Sequence, residues 1–409
     1  MNAPSVSVIV VSRGRAADLP LCLIGITQLD YPTFEVVLVA DKDGLEAARS
    51  LSFYDDLKVV QFDEANISKA RNLGIEIAAG EIIAFIDDDA VPEPSWLTYL
   101  VEGFSEADVA ASGGFVIGRN GISFQWKART VNCLGVASAL GVDESNTNLL
   151  SPQNGQAIKT EGTNMALRRD VIAKMGGFDP AFKFFLDETD VNYRLMGQGF
   201  RTAISPLAIV HHGYKASATR RRDRAPTDLF EIAASSVIFL RKHAPVDRHA
   251  SAMASFREEQ RRRVLGHMVR GAIEPSEVKR LLRSFDEGAK EGAIRSIQPL
   301  PEIFEAQKGL KSWRSVFSGT HFVASGRPSA RESLLAEAAS AVKSGRRASL
   351  FIFSSGARAH SVRFTRQGVW VQSGGLFGRS VRSGRRISIV SRARRLSLEL
   401  SRLAKLRDF

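Results

Sequence analysis

Cysteine is almost absent from this 409-residue chain, which holds only Cys22 and Cys133, in unrelated contexts and without metal-site spacing. Such a pair supports neither a disulfide framework nor a zinc site, and each reads as an ordinary buried thiol. Long apolar runs are missing too. None approaches the roughly 18 to 20 residues needed to span a bilayer, and residues 1–12 lack the basic-then-apolar pattern of a secretory leader, so the expected compartment is the cytoplasm. No internal repeat is present. With 44% hydrophobic residues the chain can bury a real core, which excludes a disordered protein, and its length suggests two or more domains.

Acidic residues are scarce in the second half. Residues 211–409 carry 39 Lys+Arg against 17 Asp+Glu, a net of +22, whereas residues 1–210 carry 17 against 27, a net of −10. A basic half attracts anionic lipid, polyanionic glycan or nucleic acid, or simply solubilises. Nucleic acid is not expected as a partner, since the basic region lacks interleaved aromatics and any known binding motif.

Residues 5–11, Ser-Val-Ser-Val-Ile-Val-Val, read as a buried parallel strand, followed by a helix over 18–29 with Asp18 as cap. Strands are expected at 34–40 and 58–62, a helix at 68–79 stopped by Gly80, and a strand at 82–86 that runs into Asp87-Asp88-Asp89. This order predicts an α/β sheet with acidic residues at the carboxyl ends of two strands, Asp41 and Asp87 to Asp89, the edge where open α/β sheets bind ligands. Further on, the pattern predicts a helix at 96–104, a strand at 109–117, a helix then a loop within 120–152, helices at 168–175 and 188–196, and a strand at 203–210. An Arg-rich connector occupies 214–226, helices 229–242 and 248–285, and short strands 350–353, 361–364 and 369–372. Residues 385–406 set eight aliphatic residues among seven basic ones. That pattern suits an amphipathic helix lying on an anionic surface, or one docked on its own domain.

Three adjacent carboxylates repel one another, and a hard cation such as Mg²⁺ or Mn²⁺ compensates them while bridging to substrate phosphates. Along an extended segment Asp87 and Asp89 point one way and Asp88 the other, so two of the three share a ligand site. An isolated Asp-Asp-Asp is more often a solvated turn; its place directly after five apolar strand residues argues for a site.

Here the sequence resembles glycosyltransferase family 2, whose members have the GT-A fold and invert the anomeric carbon. The resemblance extends over roughly residues 5–213 and rests on ordered blocks: Val6-Ser7-Val8-Ile9-Val10-Val11-Ser12-Arg13-Gly14-Arg15, Ala70-Arg71-Asn72-Leu73-Gly74, Gly80-Glu81 through Asp87-Asp88-Asp89, Gly162-Thr163-Asn164 through Arg169, Gly176-Gly177-Phe178-Asp179, and Asp187-Glu188-Thr189-Asp190 with Arg194.

The resemblance implies a GT-A type nucleotide-sugar-binding sheet over residues 1–213; beyond it, composition and periodicity predict a basic connector and helix at 214–247 and a basic, mixed helix and strand extension at 248–409. It implies that Ser12 and Arg13 face the nucleotide, Asp41 receives base or ribose, and Arg71 and Asn72 contact pyrophosphate or brace the acidic loop. Asp87 and Asp89 hold Mn²⁺ or Mg²⁺ and the diphosphate, with Asp88 near the donor and one of the pair His211-His212, His212 by preference, completing the metal shell. Gly162, Thr163 and Asn164 form the loop under the acceptor, while Trp126 lines that cleft or packs. The family's usual Glu-Asp pair falls on Asp187-Glu188, so Glu188 is assigned as the base that deprotonates the acceptor hydroxyl, with Asp187 its alternative and Asp190 hydrogen-bonding the acceptor or orienting the loop. Helix-start capping is the plainer use of such carboxylates.

The implied function is transfer of a sugar from a nucleotide-diphosphate donor to a glycan or lipid-linked glycan, in cell-surface polysaccharide or glycoconjugate synthesis, on the inner face of the membrane. A catalytically silent module that docks this fold on membrane or polyanion is the alternative. A sugar-nucleotide nucleotidyltransferase fits less well, because no Gly-rich, Arg- and Lys-bearing phosphate loop follows the first strand.

Overall fold

The β-branched run near the start forms β1 (Val6–Ser12), buried along almost its whole length. The computed structural model describes residues 3–217 and 219–409. It continues with α1 (Leu19–Ile26), β2 (Phe34–Ala40), α2 (Lys42–Arg49), β3 (Lys58–Gln61), α3 (Ile67–Ile77) and β4 (Ile82–Asp87). These four strands pair in parallel. Their unbroken apolar character follows from cover on both faces, Leu19, Leu23 and Ile26 of α1 on one side and Ala70 and Ile75 of α3 on the other. Asp18 precedes α1 without a side-chain cap, whereas Asp41 caps α2 and Asn66 caps α3.

Next come β5 (Ala90–Pro92), α4 (Trp96–Val101), β6 (Val109–Ile117), β7 (Phe124–Trp126), β8 (Arg129–Val131), β9 (Ala137–Ala139), β10 (Asn148–Leu150), β11 (Ala157–Lys159), β12 (Asn164–Arg168), α5 (Arg169–Lys174), α6 (Asp187–Gly197) and β13 (Arg201–His212). The main sheet runs β10-β13-β6-β12-β4-β1-β2-β3, with β12 antiparallel to both its neighbours and β13 parallel to β6. The α/β, GT-A type sheet flanked by helices is therefore present. The helix expected within 120–152 is not: that stretch forms four short strands, and β8 and β9 join β11 in a separate small sheet. Its Gly, Ser and Asn residues break helical periodicity, and cross-strand pairing takes over.

Beyond the sheet, α7 (Phe230–His243), α8 (Val246–Val269) and α9 (Pro275–Ile294) form a helical layer. α7 and α9 approach so closely that a Cβ at Gly288 would meet the Phe230 carbonyl oxygen at 2.1 Å. The chain then returns along β2, where Trp313 stacks on Phe34 and packs edge-on against Phe53. A third sheet follows, formed by β14 (Phe322–Gly326), β15 (Ala348–Ser354), β16 (Ser361–Phe364) and β17 (Val369–Gly375) with α10 (Arg331–Lys343) between β14 and β15, and it is followed by α11 (Arg392–Arg407). Its order is β14-β15-β17-β16, with β16 antiparallel.

Of the two placements expected for the 385–406 pattern, on an anionic surface or docked on its own domain, the packing gives the docked one. α11 spends Leu403 and Leu406 on a buried cluster with Ile209, Phe351 and Phe353, so its apolar face is docked inside the protein. Among the described residues no helix is long and apolar enough to cross a membrane.

Candidate active site

Asp88 and Asp89 form the turn between β4 and β5, and alternation separates their side chains as expected. Asp88 turns toward β1, accepting from Ser12 Oγ at 2.7 Å and Arg15 Nη1 at 2.8 Å. Burial drives its carboxyl up to about 7 despite Arg15. Asp87 and Asp89 face the end of β13, where His212 Nε2 lies 3.7 Å from Asp87 Oδ2 and 3.1 Å from Asp89 Oδ1. Asp89 Oδ2 accepts the Lys215 backbone N–H at 2.7 Å. Its buried Oδ1 has no well-aligned hydrogen bond among the described residues. Although burial opposes it, His212 and Arg15 hold the Asp89 carboxyl well below the usual range.

The three ligand atoms of Asp87, Asp89 and His212 lie within 4.8 Å of one another. His212 Nδ1 lies 3.0 Å from Gln125 Oε1; donating its hydrogen there leaves an Nε2 lone pair aimed at two carboxylates. Asp89 Oδ1 has Arg15 Nη1 at 3.3 Å and His212 Nε2 at 3.1 Å, and two carboxylates converging with one imidazole suit a divalent cation.

The second centre starts α6. Phe185 and Leu186 both adopt left-handed backbone (φ +74° and +64°), turning the chain sharply so that Asp187 and Glu188 enter at the helix N-terminus. Asp187 is sealed against the Arg71 guanidinium, which lies over the Phe85 and Phe178 rings at 5.5 and 5.2 Å. Burial pushes Asp187 up. Glu188 is the more accessible of the two and accepts from Lys159 Nζ at 2.7 Å, which pulls its carboxyl down against the opposing effect of burial. Lys159 also donates to Thr189 Oγ1 at 2.9 Å and faces Glu161, itself paired with Arg129.

A cleft of about 940 Å³ has Asp87, Arg71, Gly162, Thr163, Asp187 and Glu188 on its wall, while Asp89 and His212 line a separate pocket of about 400 Å³. A Cβ at Gly162 would sit 2.4 Å from Arg71 Nη2, so the glycine makes room for the guanidinium whose other nitrogen holds Asp187. Thr163 Oγ1 is buried there without a hydrogen-bond partner among the described residues. Trp126 lines the same cleft, 5.8 Å ring to ring from His212.

Other expected residues are placed elsewhere. Arg13 donates to the Asp63 carbonyl at 3.0 Å, on the exposed side of the β1 loop. Asp41 uses one oxygen to cap α2 and the other to accept the Gly14 N–H at 2.7 Å. Asn72 is drawn off the cleft, its amide exchanging two 2.8 Å bonds with the Phe178 backbone. Asn164 is fully buried between Trp96 Nε1 and the Phe115 and Ala208 carbonyls. Asp190 is also fully buried, receiving a bond from Arg194 within α6 and bonds from Lys242 and His243 that tie α6 to α7. His211 points away from the acidic turn to Glu93, 2.8 Å distant.

Sequence reasoning missed Arg15, Lys159, Gln125 and the wall that α8 gives the cleft through Arg248, Ser251 and Phe256. Arg15 stood inside the first block beside Ser12; Lys159 and α8 carried no motif.

Residues 3–227, more than half of the chain, match the family described as Glycosyltransferase like family 2. The O-antigen biosynthesis protein RfbC of Myxococcus xanthus is 29% identical over 248 residues, 55% of this chain and 18% of that protein. The glucosyl-dolichyl phosphate glucuronosyltransferase of Haloferax volcanii is 29% identical over 182 residues, 43% of this chain and 55% of that one. The matches thus take in about half of the latter relative's length and under a fifth of the former's. Among solved structures, the mannosyltransferase PcManGT from Pyrobaculum calidifontis in complex with GDP-Man and Mn²⁺ is 16% identical, covering 72% of this chain and 88% of that one at a TM-score of 0.44. The family match takes in every strand from β1 to β13 and both acidic centres, and the chain belongs to glycosyltransferase family 2.

Proposed function

We propose that this protein transfers a sugar, with inversion, from a nucleotide-diphosphate donor to a glycan or lipid-linked glycan in the synthesis of a surface polysaccharide or glycoconjugate. One observation carries the reading: a single cleft is lined both by Asp87 of the acidic turn and by Asp187 and Glu188 of α6. Direct displacement needs a charge-stabilised leaving group on one side of the anomeric carbon and a base on the other. The names of two relatives, an O-antigen biosynthesis protein and a glucosyl-dolichyl phosphate glucuronosyltransferase, agree with that class of product.

In this reading Asp87, Asp89 and His212 hold Mn²⁺ or Mg²⁺, which when bound supplies positive charge to the departing diphosphate. Ser12 and Arg15 fix Asp88 and the turn, and Asp41 with the Gly14 loop forms the nucleotide edge. Glu188 is the base because its carboxylate is ionised and reaches the cleft. Asp187 and Arg71 orient it from behind. Residues 1–213 form the catalytic unit, 214–247 the connector, and the basic charge of 248–409 draws the protein to anionic membrane or glycan.

A thermal-shift screen of nucleotide-sugars with Mn²⁺ tests the reading. One nucleotide-sugar that raises Tm only with the metal supports it; equal shifts with and without Mn²⁺, or none across the panel, contradict it.

A further inference from the structure

We infer that the sheet β14 to β17 and helix α11 form the rear of the donor centre, with Arg407 as a positioning residue for Asp89 and His212. The inference rests on the metal-diphosphate reading above. Arg407 closes α11 almost completely buried, and its guanidinium takes the equally buried Glu93 carboxylate at two points, Nε to Oε2 at 2.7 Å and Nη2 to Oε1 at 2.8 Å. The Trp370 ring lies 4.3 Å from the same guanidinium. On the module side Nη1 donates to Ser349 Oγ at 3.2 Å, and the Arg407 carbonyl accepts from His321 Nδ1 at 2.8 Å. Arg407 is thereby fixed at both ends.

From Glu93 the path to the acidic turn is short. Glu93 follows β5, and Asp89 directly precedes it. Glu93 Oε1 lies 2.8 Å from His211 Nε2, and the His211 ring lies 4.8 Å from Trp370. β5 and β13 pair with His211 opposite Val91 and His212 opposite Ala90. The Gly213 N–H closes the ladder on the Asp89 carbonyl at 2.7 Å. Alternation along β13 sends His211 back to the Arg407 cluster and His212 forward to Asp87 and Asp89. Whatever pins the first histidine therefore sets the second. Removing Arg407 leaves the buried Glu93 with His211 alone, a strained arrangement that β5 and the first histidine must accommodate. Arg407, Trp370 and Ser349 all lie outside the matched residues 3–227.

The test is Mn²⁺ affinity of the full chain by electron paramagnetic resonance of free Mn²⁺, together with donor KM and kcat. Arg407→Ala is expected to weaken Mn²⁺ binding by about 10-fold or more, as loss of an outer-shell support does, and to raise donor KM. Arg407→Lys restores part of both, and Arg331→Ala, an exposed change on α10, alters neither. Should Arg407→Ala not fold, Trp370→Phe takes its place with a smaller loss of Mn²⁺ affinity. A folded Arg407→Ala or Trp370→Phe chain that binds Mn²⁺ as the native chain does overturns the inference alone. A native chain with no Mn²⁺ affinity overturns the donor-centre reading and the inference with it.

Discussion

Lys159 Nζ stands 2.7 Å from the Glu188 carboxylate, both lining the cleft that Asp87 also lines. The ammonium holds Glu188 below the usual carboxylate range although burial pushes the other way. A base must be ionised, so activity falls on the acid side as pH drops through the Glu188 value. Removing the ammonium takes away the strongest opposition to burial, leaving Arg71 and a backbone N–H, and raises that value. Lys159→Met is therefore expected to move the acid limb of the kcat/KM profile to higher pH, while Glu188→Gln lowers kcat by about 10²–10⁴-fold at every pH. An unmoved acid limb in Lys159→Met contradicts the assignment.

Gln125 orients the imidazole of His212 by accepting from Nδ1 at 3.0 Å. Loss of such a support costs about 10- to 100-fold in metal affinity. Gln125→Ala is predicted to weaken Mn²⁺ binding within that range in calorimetry, with the melting temperature nearly unchanged. Equal affinity would show that His212 needs no orienting partner.

Asn164 predicts the opposite pattern. Its amide meets Trp96 Nε1 and two backbone carbonyls in a fully buried setting, so Asn164→Ala orphans polar groups at about 1–3 kcal/mol each. The variant should melt several degrees lower, with donor KM retained in the folded fraction. A large KM change at unaltered stability would return Asn164 to the acceptor loop.

These contrasts show what the sequence discloses. The parallel strands were legible because burial on both faces demands unbroken runs of β-branched residues, and Asp87 to Asp89 were legible because such a run feeds them. The division of labour inside a motif was not. Arg71 and Asn72 are adjacent on α3, yet one reaches the cleft and the other brackets the Phe178 backbone, since successive helical residues point about 100° apart. Gly162, Thr163 and Asn164 divide likewise as β12 begins. Lys159 was invisible because its partner, Glu188, is brought beside it only by the pairing of β11 with α6 in space. The basic aliphatic pattern of α11 fitted a surface helix and a docked one equally; the cluster of Leu403 and Leu406 with Phe351 and Phe353 decides for docking.

With that face buried, attraction to a membrane rests on charge. The +22 net charge of residues 211–409 predicts co-sedimentation with anionic vesicles at low salt and release at high salt, since screening shortens with ionic strength. Equal pelleting with neutral vesicles, or none with anionic ones, contradicts this.

Glu93 supplies a stability prediction with a definite sign. Arg407 and His211 lower its carboxyl from an ordinary value near 4.5 to about 2, overcoming burial. The pair's contribution is complete above about 4.5 and is lost as pH falls toward 2. Glu93→Gln, which leaves Arg407 buried and unpaired, is expected to cost about 3–5 kcal/mol at neutral pH. The gap from the native chain should narrow in urea melts between pH 4.5 and 2; a constant gap contradicts the pairing.

The central claim is that Asp87, Asp89 and His212 hold the metal that makes the donor diphosphate a leaving group. It is tested most directly by nucleotide release from a labelled nucleotide-sugar, measured with Mn²⁺, with chelator, and in Asp89→Ala. Release with Mn²⁺ that disappears in both other cases is the predicted result. Release that survives chelator and Asp89→Ala would contradict it.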